Sequence, residues 1–305
     1  MPNPIQAVRR EIDNAATAAI LTPDTYISGA AASNTDANGR EKQPMLATFE
    51  KAALEAGQAI LAVYRSGHAV TQKQDLSPVT VADERAEVII LAHLATAFPD
   101  IPVIAEESVA AGHIPEIGSQ PFFLVDPLDG TREFIEHRDE FTVNIAYIVE
   151  GRPVAGIVYA PALGLAFTGE DGVAQKLVVG ADFKIVSRMP IVVRHAGETL
   201  LGLASRCHGN ARTDEFLAEN SVAACTTIGS SLKFCLLAEG KADVYPRFSR
   251  TMEWDTAAGD AVLRAAGGIT IMLDGTPLPY GKRQQSTDSD FANPNFICWG
   301  AREHS

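Results

Sequence analysis

The sequence feature best suited to chemistry is a pair of carboxylates, Asp126 and Asp129, placed directly after the apolar run 122–125. The run predicts a short buried strand, so both carboxylates are expected at its end, where acidic side chains can gather a metal ion. Gly130 lets the backbone approach a ligand closely, and the amides of Gly130 and Thr131 could then face an anionic oxygen. The segment therefore predicts a metal-assisted site for an anionic substrate.

Three further acidic positions, Asp83, Glu106 and Asp255, stand at the start or end of predicted elements. Oxygen ligands of this kind suit Mg²⁺ or Mn²⁺. Two such cations about 3.5 to 4 Å apart could clamp a phosphate and lower the pKa of a bridging water. The seven histidines are scattered, with no HExxH and no HxH pair, so a zinc site is not predicted.

Each acidic position also has an ordinary structural interpretation. Asp83 stands three residues after Thr80, the spacing of a helix capping box. The glutamates at 106–107 could belong to a solvated loop, and the two aspartates before Gly130 could build a turn. Asp255 could be a helix N-cap. The functional interpretation depends on their joint placement.

The sequence lacks the motifs that several other phosphatase chemistries require. A nucleophilic aspartate of the DxD kind is excluded because Leu128 stands two residues after Asp126, and a calcium loop of the EF-hand kind fails at the same place. Cys207 and Arg212 are spaced CxxxxR, one residue short of a cysteine-phosphatase loop, and no GxxxxGK[ST] occurs. Attack by water without a covalent intermediate is the chemistry that remains.

Composition predicts a soluble, cytosolic protein. The chain has 305 residues, of which 46% are hydrophobic and 21% charged, with a formal net charge of −13. This charge argues against a nucleic acid polymer as partner. The four cysteines form no CxxC pair, which favours reduced thiols. No transmembrane run and no signal peptide are evident.

The pattern of elements predicts three parts. Residues 1–44 lack a sustained period and are expected to form a flexible or loosely packed tail. Residues 45–190 are predicted as an α+β, metal-binding lobe, and residues 191–305 as a smaller α/β lobe. The elements predicted for the first lobe are helices over 46–67 and 80–98 and strands over 103–105, 122–125, 141–149, 154–159 and 165–168.

Three motifs at residues 106–108, 126–131 and 254–259 together resemble the inositol-monophosphatase-like superfamily of metal-dependent, lithium-sensitive phosphatases. The resemblance runs from about residue 47 to the C-terminus and implies an α/β fold layered αβαβα. Within the superfamily it is strongest to the bacterial 3'(2'),5'-bisphosphate nucleotidases, through residues 129–135, 140–146, 229–240 and 245–248.

The resemblance also implies a role for each site residue. The metal ligands it implies are Glu106, Asp126, the Leu128 carbonyl, Asp129 and Asp255. The residues implied to orient or deprotonate the attacking water are Asp83 and Thr131. Glu107 is implied either to contact the metal ligands from behind or to bind a water held by a third metal ion. The substrate-binding residues it implies are Gly130, Thr131, Ser205, His208, Ser230, Lys233 and Arg247.

The expected function is therefore hydrolysis of the 3'-phosphate of adenosine 3',5'-bisphosphate to AMP, which clears a by-product of sulfate assimilation. Two Mg²⁺ ions, or three, would serve each site, and Mn²⁺ could substitute. The resemblance is compatible with a homodimer and with peripheral association with the inner membrane. The alternatives are an inositol monophosphatase or other sugar-phosphate phosphatase, and a nucleotide-binding regulator without catalysis. The sequence departs from the family pattern at Cys207, Arg250 and Asp260, and these departures are expected to affect specificity at the end of the site that binds the rest of the nucleotide.

Overall fold

The structure, a computed structural model, describes residues 45–66, 70–72, 78–206 and 210–301. The predicted tail and His208 lie outside these ranges, as does Cys207. None of the helices within them is long and apolar enough to span a bilayer.

The first half of the chain builds two long helices, two short ones and a large sheet. The helices are α1 (Met45–Ser66), α2 (Val81–Ala97), α3 (Glu106–Ala110) and α4 (Thr131–Ile135). A small antiparallel pair consists of β1 (Val70–Gln72) and β2 (Pro78–Thr80). The large sheet contains β3 (Val103–Ala105), β4 (Phe122–Asp129), β5 (Thr142–Val149), β6 (Arg152–Ala160), β7 (Leu165–Glu170), β8 (Val173–Val179) and β9 (Ile185–Ile191). Its strands follow chain order, and only β3 and β4 pair in parallel.

The second half alternates strands and helices. It contains β10 (Leu200–Ser205), α5 (Ala211–Glu219), β11 (Val222–Ile228), α6 (Leu232–Ala238), β12 (Val244–Arg247), α7 (Ala257–Ala265), β13 (Ile269–Met272) and β14 (Phe296–Trp299). These five strands form a mixed sheet in the order β11-β10-β12-β14-β13.

The layers follow from which faces are apolar. In β4, Phe123 and Val125 belong to the core beneath α1 and α2, whereas Phe122 and Leu124 belong to the core shared with α6, α7 and the five-stranded sheet. Because both faces of β4 are buried, its sequence is a continuous apolar run rather than an alternating one. Helix α5 contacts β11 and β12. The α/β class and the αβαβα layering predicted from the resemblance are confirmed.

Helix α7, from the last quarter of the chain, lies directly on the seven-stranded sheet against β5, β6 and β7. Two strand glycines permit this contact. A Cβ on Gly156 would come within 2.8 Å of the Ala261 Cβ, and one on Gly169 within 2.6 Å of the Val262 Cα. Any larger residue would push the helix away. The two predicted lobes thus share one core, and a boundary near residue 190 between separate folding units stays a prediction.

The predicted helices at 46–67 and 80–98 are confirmed within a residue or two. Three expectations were incomplete or wrong. The strand expected to end at residue 125 continues to Asp129, and the glutamates at 106–107, for which a solvated loop was the alternative interpretation, begin α3. Strands β8 and β9 were not predicted, so the sheet has two more strands than expected on its far side.

Candidate active site

A β-bulge arranges the two central aspartates. Asp126 is paired with Asn144 on β5, and Asp129 with Thr142, so three steps along β4 match two along β5. Residues three apart in a regular strand point to opposite faces, and the extra residue resets this alternation so that both carboxylates can serve one site. Asp126 is 1% exposed, and its Oδ1 accepts a hydrogen bond of 3.0 Å from the Leu128 amide.

The second aspartate is held by a neighbouring loop. The Ser231 amide donates to Asp129 Oδ2 at 2.5 Å. The Ser231 hydroxyl lies 2.7 Å from Asn144 Oδ1 and 2.9 Å from Thr142 Oγ1 on β5. Ser230 adopts a φ of +49°, a conformation that few non-glycine residues occupy. Strand β5 therefore fixes the loop, and the loop fixes Asp129.

Glu140 ties this loop to the end of β10. Its buried carboxylate, 2% exposed, accepts from the Gly229 amide at 3.1 Å and from both terminal nitrogens of Arg206. Arg206 directly follows Ser205, one of the predicted substrate-binding residues. The predicted nucleotide end and the Asp129 end of the site are thus connected through one ion pair.

Asp83 caps α2 and also contacts Thr131. Its Oδ2 accepts from the Thr80 amide at 2.8 Å and the Thr80 hydroxyl at 2.7 Å, while Thr80 accepts from the Ala82 amide, which completes a capping box on α2. Its Oδ1 lies 3.3 Å from the Thr131 hydroxyl, which is also 3.3 Å from the Leu128 carbonyl oxygen. The cap holds the carboxylate in place while its second oxygen contacts the site.

Asp255 stands before α7 without capping it. The N-cap of α7 is Thr256, so the alternative interpretation of Asp255 as a helix N-cap does not hold. Asp255 Oδ2 instead accepts from the Met252 amide at 2.8 Å. The adjacent Glu253, completely buried, accepts from both amides of residues 281–282, which anchors this turn to the following segment.

The carboxylates repel one another. Burial, followed by the charges of Asp129 and Glu106, raises the pKa of Asp255 to about 8. Burial also raises the pKa of Asp129 to about 6, with Lys233 opposing and Glu133 and Glu106 adding to the rise. The pKa of Asp83 rises to about 6 for the same main reason, and Glu106 contributes there as well. Glu106 thus lies within electrostatic reach of all three aspartates.

The opposite end of the site is cationic. The Lys233 ammonium donates to the carbonyl oxygens of Ser230 at 2.5 Å and Ile228 at 3.2 Å, and lies 5.4 Å from the centre of the Tyr245 ring. Burial lowers its pKa to about 8, with Asp129 opposing. Lys233 therefore braces the 228–231 loop from within.

Two arginines lie beyond it. Arg247 is 7% exposed, donates through Nη2 to the Arg250 carbonyl at 3.3 Å, and leaves a buried Nε without a hydrogen-bond acceptor among the described residues. Arg250 is exposed and pairs with Asp288 at 3.1 Å and with the Ser289 hydroxyl at 2.6 Å. A buried guanidinium nitrogen without an acceptor suits an anionic ligand.

Both ends open into one cavity of about 280 Å³. The predicted residues that line it are Glu106, Asp129, Gly130, Thr131, Ser205, Ser230, Lys233, Arg247 and Asp255. Asp83, Asp126 and Leu128 lie behind this lining, in contact with Thr131 or with one another. Glu107 faces a separate shallow groove with Glu87 and His113. Asp260, expected to affect the nucleotide end, does not line the cavity, because it is buried against Arg264 and Tyr280.

Sequence reasoning missed the residues that hold the predicted ones: Glu87, Glu140, Asn144, Arg206, Ser231 and Glu253. Glu140, Asn144 and Ser231 lie in segments that carry the family resemblance, but nothing in the sequence assigned a supporting role to any of the six. A glycine is required at 130 for a reason besides the predicted approach to a ligand, since its φ of +91° is left-handed and a Cβ would lie 3.2 Å from the Glu140 carbonyl oxygen.

Comparison with known proteins identifies the family. A sequence profile described as "Inositol monophosphatase family" matches residues 41–296. The chain belongs to the inositol monophosphatase family. It is 44% identical over 246 residues to the 3'(2'),5'-bisphosphate nucleotidase CysQ of Escherichia coli K12. The aligned residues cover 80% of this chain and 95% of that protein.

Solved structures agree with this membership. CysQ from Bacteroides thetaiotaomicron, a bacterial member of the family, matches with a TM-score of 0.67 and 35% identity over 85% of this chain and 97% of its own. An IMPase from Thermotoga maritima matches with a TM-score of 0.65 over 83% of this chain and 91% of its own. At 24% identity, the second match shows a shared fold alone.

Members of this family are generally Mg²⁺-dependent, and the donor set of this chain fits such an ion. Within the described ranges no three acidic, histidine or cysteine side chains are already arranged as a metal cage. Burial, followed by the charges of Asp129 and Glu106, nevertheless raises the pKa of Asp255, and Glu106 also adds to the rise at Asp129, so acidic groups crowd this end of the site. Hard divalent cations bind such oxygen donors and would relieve the repulsion.

The raised pKa values predict an inverse pH dependence of metal-free stability. The pKa of Asp255 is about 8 in the folded protein, against an ordinary value of 3.8, so the folded state binds the extra proton between these values. Stability in EDTA should therefore fall as pH rises, by about 5 °C in melting temperature or more between pH 5 and pH 8. Saturating Mg²⁺ should restore it most at pH 8.

Thermal melts of wild type and Asp255→Asn across this range test the dependence. The asparagine variant lacks the titrating group, so its melting temperature in EDTA should change less with pH. An equally steep decline in both proteins would contradict the assignment to Asp255.

Proposed function

We propose that this protein is a Mg²⁺-dependent phosphatase that converts adenosine 3',5'-bisphosphate to AMP and phosphate. The proposal is carried by one observation: a single cavity has clustered carboxylates at one end and Lys233, Arg247 and Arg250 at the other. A substrate with two separated phosphates matches this division of charge. Similarity to bisphosphate nucleotidases over most of the chain supports the same substrate class.

The residues proposed to hold two Mg²⁺ ions, or Mn²⁺ in their place, are Glu106, Asp126, the Leu128 carbonyl, Asp129 and Asp255. Bound there, the ions would supply charge stabilisation for the transferring phosphoryl group and acidify a bound water. A third ion near Glu107 is part of the same proposal.

Asp83 and Thr131 are proposed to take the proton from the attacking water. The Thr131 hydroxyl can donate to Asp83 Oδ1, 3.3 Å away, and so turn its lone pairs toward a water in the cavity. Because the pKa of Asp83 is raised to about 6, the carboxylate accepts a proton near neutral pH better than an ordinary aspartate does. The water oxygen bonds to phosphorus as the ester P–O bond breaks, the water's proton passes toward Asp83, and the leaving 3'-oxygen of the ribose takes a proton from solvent water to give the AMP hydroxyl.

The backbone is proposed to hold the scissile phosphate. The left-handed φ of Gly130 exposes the amides of Gly130 and Thr131 at the start of α4. Amides fixed in this way stabilise developing negative charge without reorganising, and losing one such donor typically costs about 10² to 10³ in rate. Ser205, Ser230, Lys233 and Arg247 are proposed to bind the rest of the nucleotide, together with His208.

Phosphate release from a panel of phosphomonoesters, with Mg²⁺ and with EDTA, tests the function. Adenosine 3',5'-bisphosphate should give the highest kcat/KM, above its 2' isomer and well above inositol 1-phosphate. A preference for inositol 1-phosphate would favour an inositol monophosphatase instead. No release with any substrate in Mg²⁺ or Mn²⁺ would favour a binding protein without catalysis.

Arg250 is predicted to contribute to selectivity. It stands where the family pattern has proline, and it places an exposed cation in the cavity lining beside Arg247, whose Nη2 donates to the Arg250 carbonyl. Arg250→Ala should lower kcat/KM for the bisphosphate about tenfold, because a charge-assisted contact to the second phosphate is lost, while leaving inositol 1-phosphate hydrolysis nearly unchanged. Arg188→Ala, on the distant edge strand β9, is the matched control. Equal losses for both substrates would contradict this role.

A homodimer, a cytoplasmic location and peripheral association with the inner membrane remain predictions. So does the role of residues 1–44 as a tail.

A further inference from the structure

A buried carboxylate on α2 holds the segment that carries Glu106. Glu87, 5% exposed, accepts through Oε2 from the Glu107 amide at 2.8 Å. Through Oε1 it accepts from the Ser108 amide at 2.9 Å and from the Ser108 hydroxyl at 2.6 Å. Both oxygens of one side chain are thus committed to the two residues that follow Glu106.

Helix α3 needs such a partner from elsewhere. It begins at Glu106, and its N-cap residue is Ala105, which has no side-chain acceptor for the first amides. Those amides would otherwise lack a protein acceptor in a partly buried position. Glu87 satisfies two of them at once, with charge-assisted bonds that are stronger and more directional than neutral ones.

Glu87 and Asp83 stand four residues apart on α2, so they lie on the same face of the helix. Asp83 contacts Thr131 at the start of α4, and Glu87 contacts the start of α3. One rigid helix face therefore sets the separation between the proposed water-activating pair and the Glu106 carboxylate.

We propose that Glu87 is a positioning residue that fixes the Glu106 carboxylate for metal binding. This inference rests on the proposed role of Glu106 as a ligand. Groups that orient ligands in this way typically change metal affinity or activity by about 10- to 100-fold when they are removed. Ser108 follows from the same geometry: its hydroxyl serves to anchor Glu87.

A purely structural cap would behave differently. If Glu87 were only a cap, removing it would lower the stability measured in EDTA but leave the metal affinity of the folded protein unchanged. The inference is therefore tested by Mn²⁺ binding to the whole protein, measured by isothermal titration calorimetry, and by the Mg²⁺ concentration that gives half-maximal phosphate release.

Glu87→Gln keeps the size of the side chain but turns an amide group toward backbone donors. We expect its Mn²⁺ dissociation constant to rise about 10- to 100-fold, with a parallel rise in half-maximal Mg²⁺ and a smaller change in kcat at saturating Mg²⁺. Ser108→Ala, which removes only one hydrogen bond, should raise the constant about fivefold. Glu84→Gln makes the same charge change at an exposed position of α2 and should match wild type.

The inference is overturned if folded Glu87→Gln binds Mn²⁺ within twofold of wild type. If that variant does not fold, Ser108→Ala decides, and an unchanged dissociation constant there overturns it equally. Failure of the proposed function would look different, because wild type would then release no phosphate while the Mn²⁺ titrations of the variants could still be compared.

Discussion

Replacing Asp129 with asparagine is expected to lower kcat/KM by about 10³-fold or more while leaving the protein folded. A metal ion supplies several kcal/mol of charge stabilisation in such reactions, and each 1.36 kcal/mol is tenfold in rate. The asparagine oxygen can still accept from the Ser231 amide, so the loop at 229–231 keeps its anchor. The variant loses one of the proposed ligands and little else.

The same substitution should raise metal-free stability. Asp129 adds to the proton affinity of Asp255, and Glu106 acts on both, so removing one charge relieves repulsion in the folded state. We therefore expect a higher melting temperature in EDTA at pH 8 and a smaller gain on adding Mg²⁺. Asp171→Asn is the matched control, because it lies in an exposed turn with a φ of +49° that asparagine tolerates. Near-normal turnover of Asp129→Asn would refute the two-metal proposal.

The pair of Asp83 and Thr131 should have the second largest effect. Thr131→Val removes the hydroxyl at nearly constant volume, and Asp83→Asn removes the proton acceptor. Each should lower kcat by about 100-fold or more, as expected for a lost general base. Because the two groups act as a unit, the double variant should be about as slow as the slower single variant.

Urea denaturation separates this role from helix capping. Asp83→Asn disturbs the capping box and should cost about 1 kcal/mol of unfolding free energy, whereas Thr131→Val leaves the cap intact. If Asp83 served only as a cap, its variant would lose stability and keep its turnover. The loss of turnover in Thr131→Val without a loss of stability is thus the most informative single outcome.

Asp83 shows what sequence spacing can and cannot decide. The spacing from Thr80 to Asp83 predicted a capping box, and the chemistry of a carboxylate suggested catalysis, as if one excluded the other. A carboxylate has two oxygens, and in the structure Oδ2 caps α2 while Oδ1 contacts Thr131. Local sequence patterns identify a hydrogen-bond acceptor, but they do not show which partner each of its two oxygens will contact.

The bulge in β4 explains another limit. One interpretation of Asp126 and Asp129 was a turn, because Asp-Gly is a common turn pair, whereas in the structure both belong to β4. The extra residue is visible only in the register with β5, where Asn144 and Thr142 face them. The register between two strands, even consecutive ones, cannot be read from the sequence of either strand alone.

Strand β9 and the supporting residues Glu87 and Ser231 were also not predicted from the sequence. Strand β9 lies at the sheet edge, is largely exposed and contains Pro190, so it lacks the alternation that reveals half-buried strands. Glu87 and Ser231 act through contacts 20 and 102 residues away along the chain. The long helices α1 and α2 were predictable because the period of a helix is local, whereas the short helices α3 and α4 were not predicted.

Helix α7 packs closely on the sheet at Gly156 and Gly169, so the site is complete only after this helix has docked. Asp255 reaches Asp129 only when a helix from the chain's last quarter has docked on strands made much earlier in synthesis. A ribosome-bound or truncated chain that ends before α7 would carry the central aspartates yet lack this partner. The return of phosphatase activity during refolding should therefore follow, and never precede, the burial of α7 against the sheet.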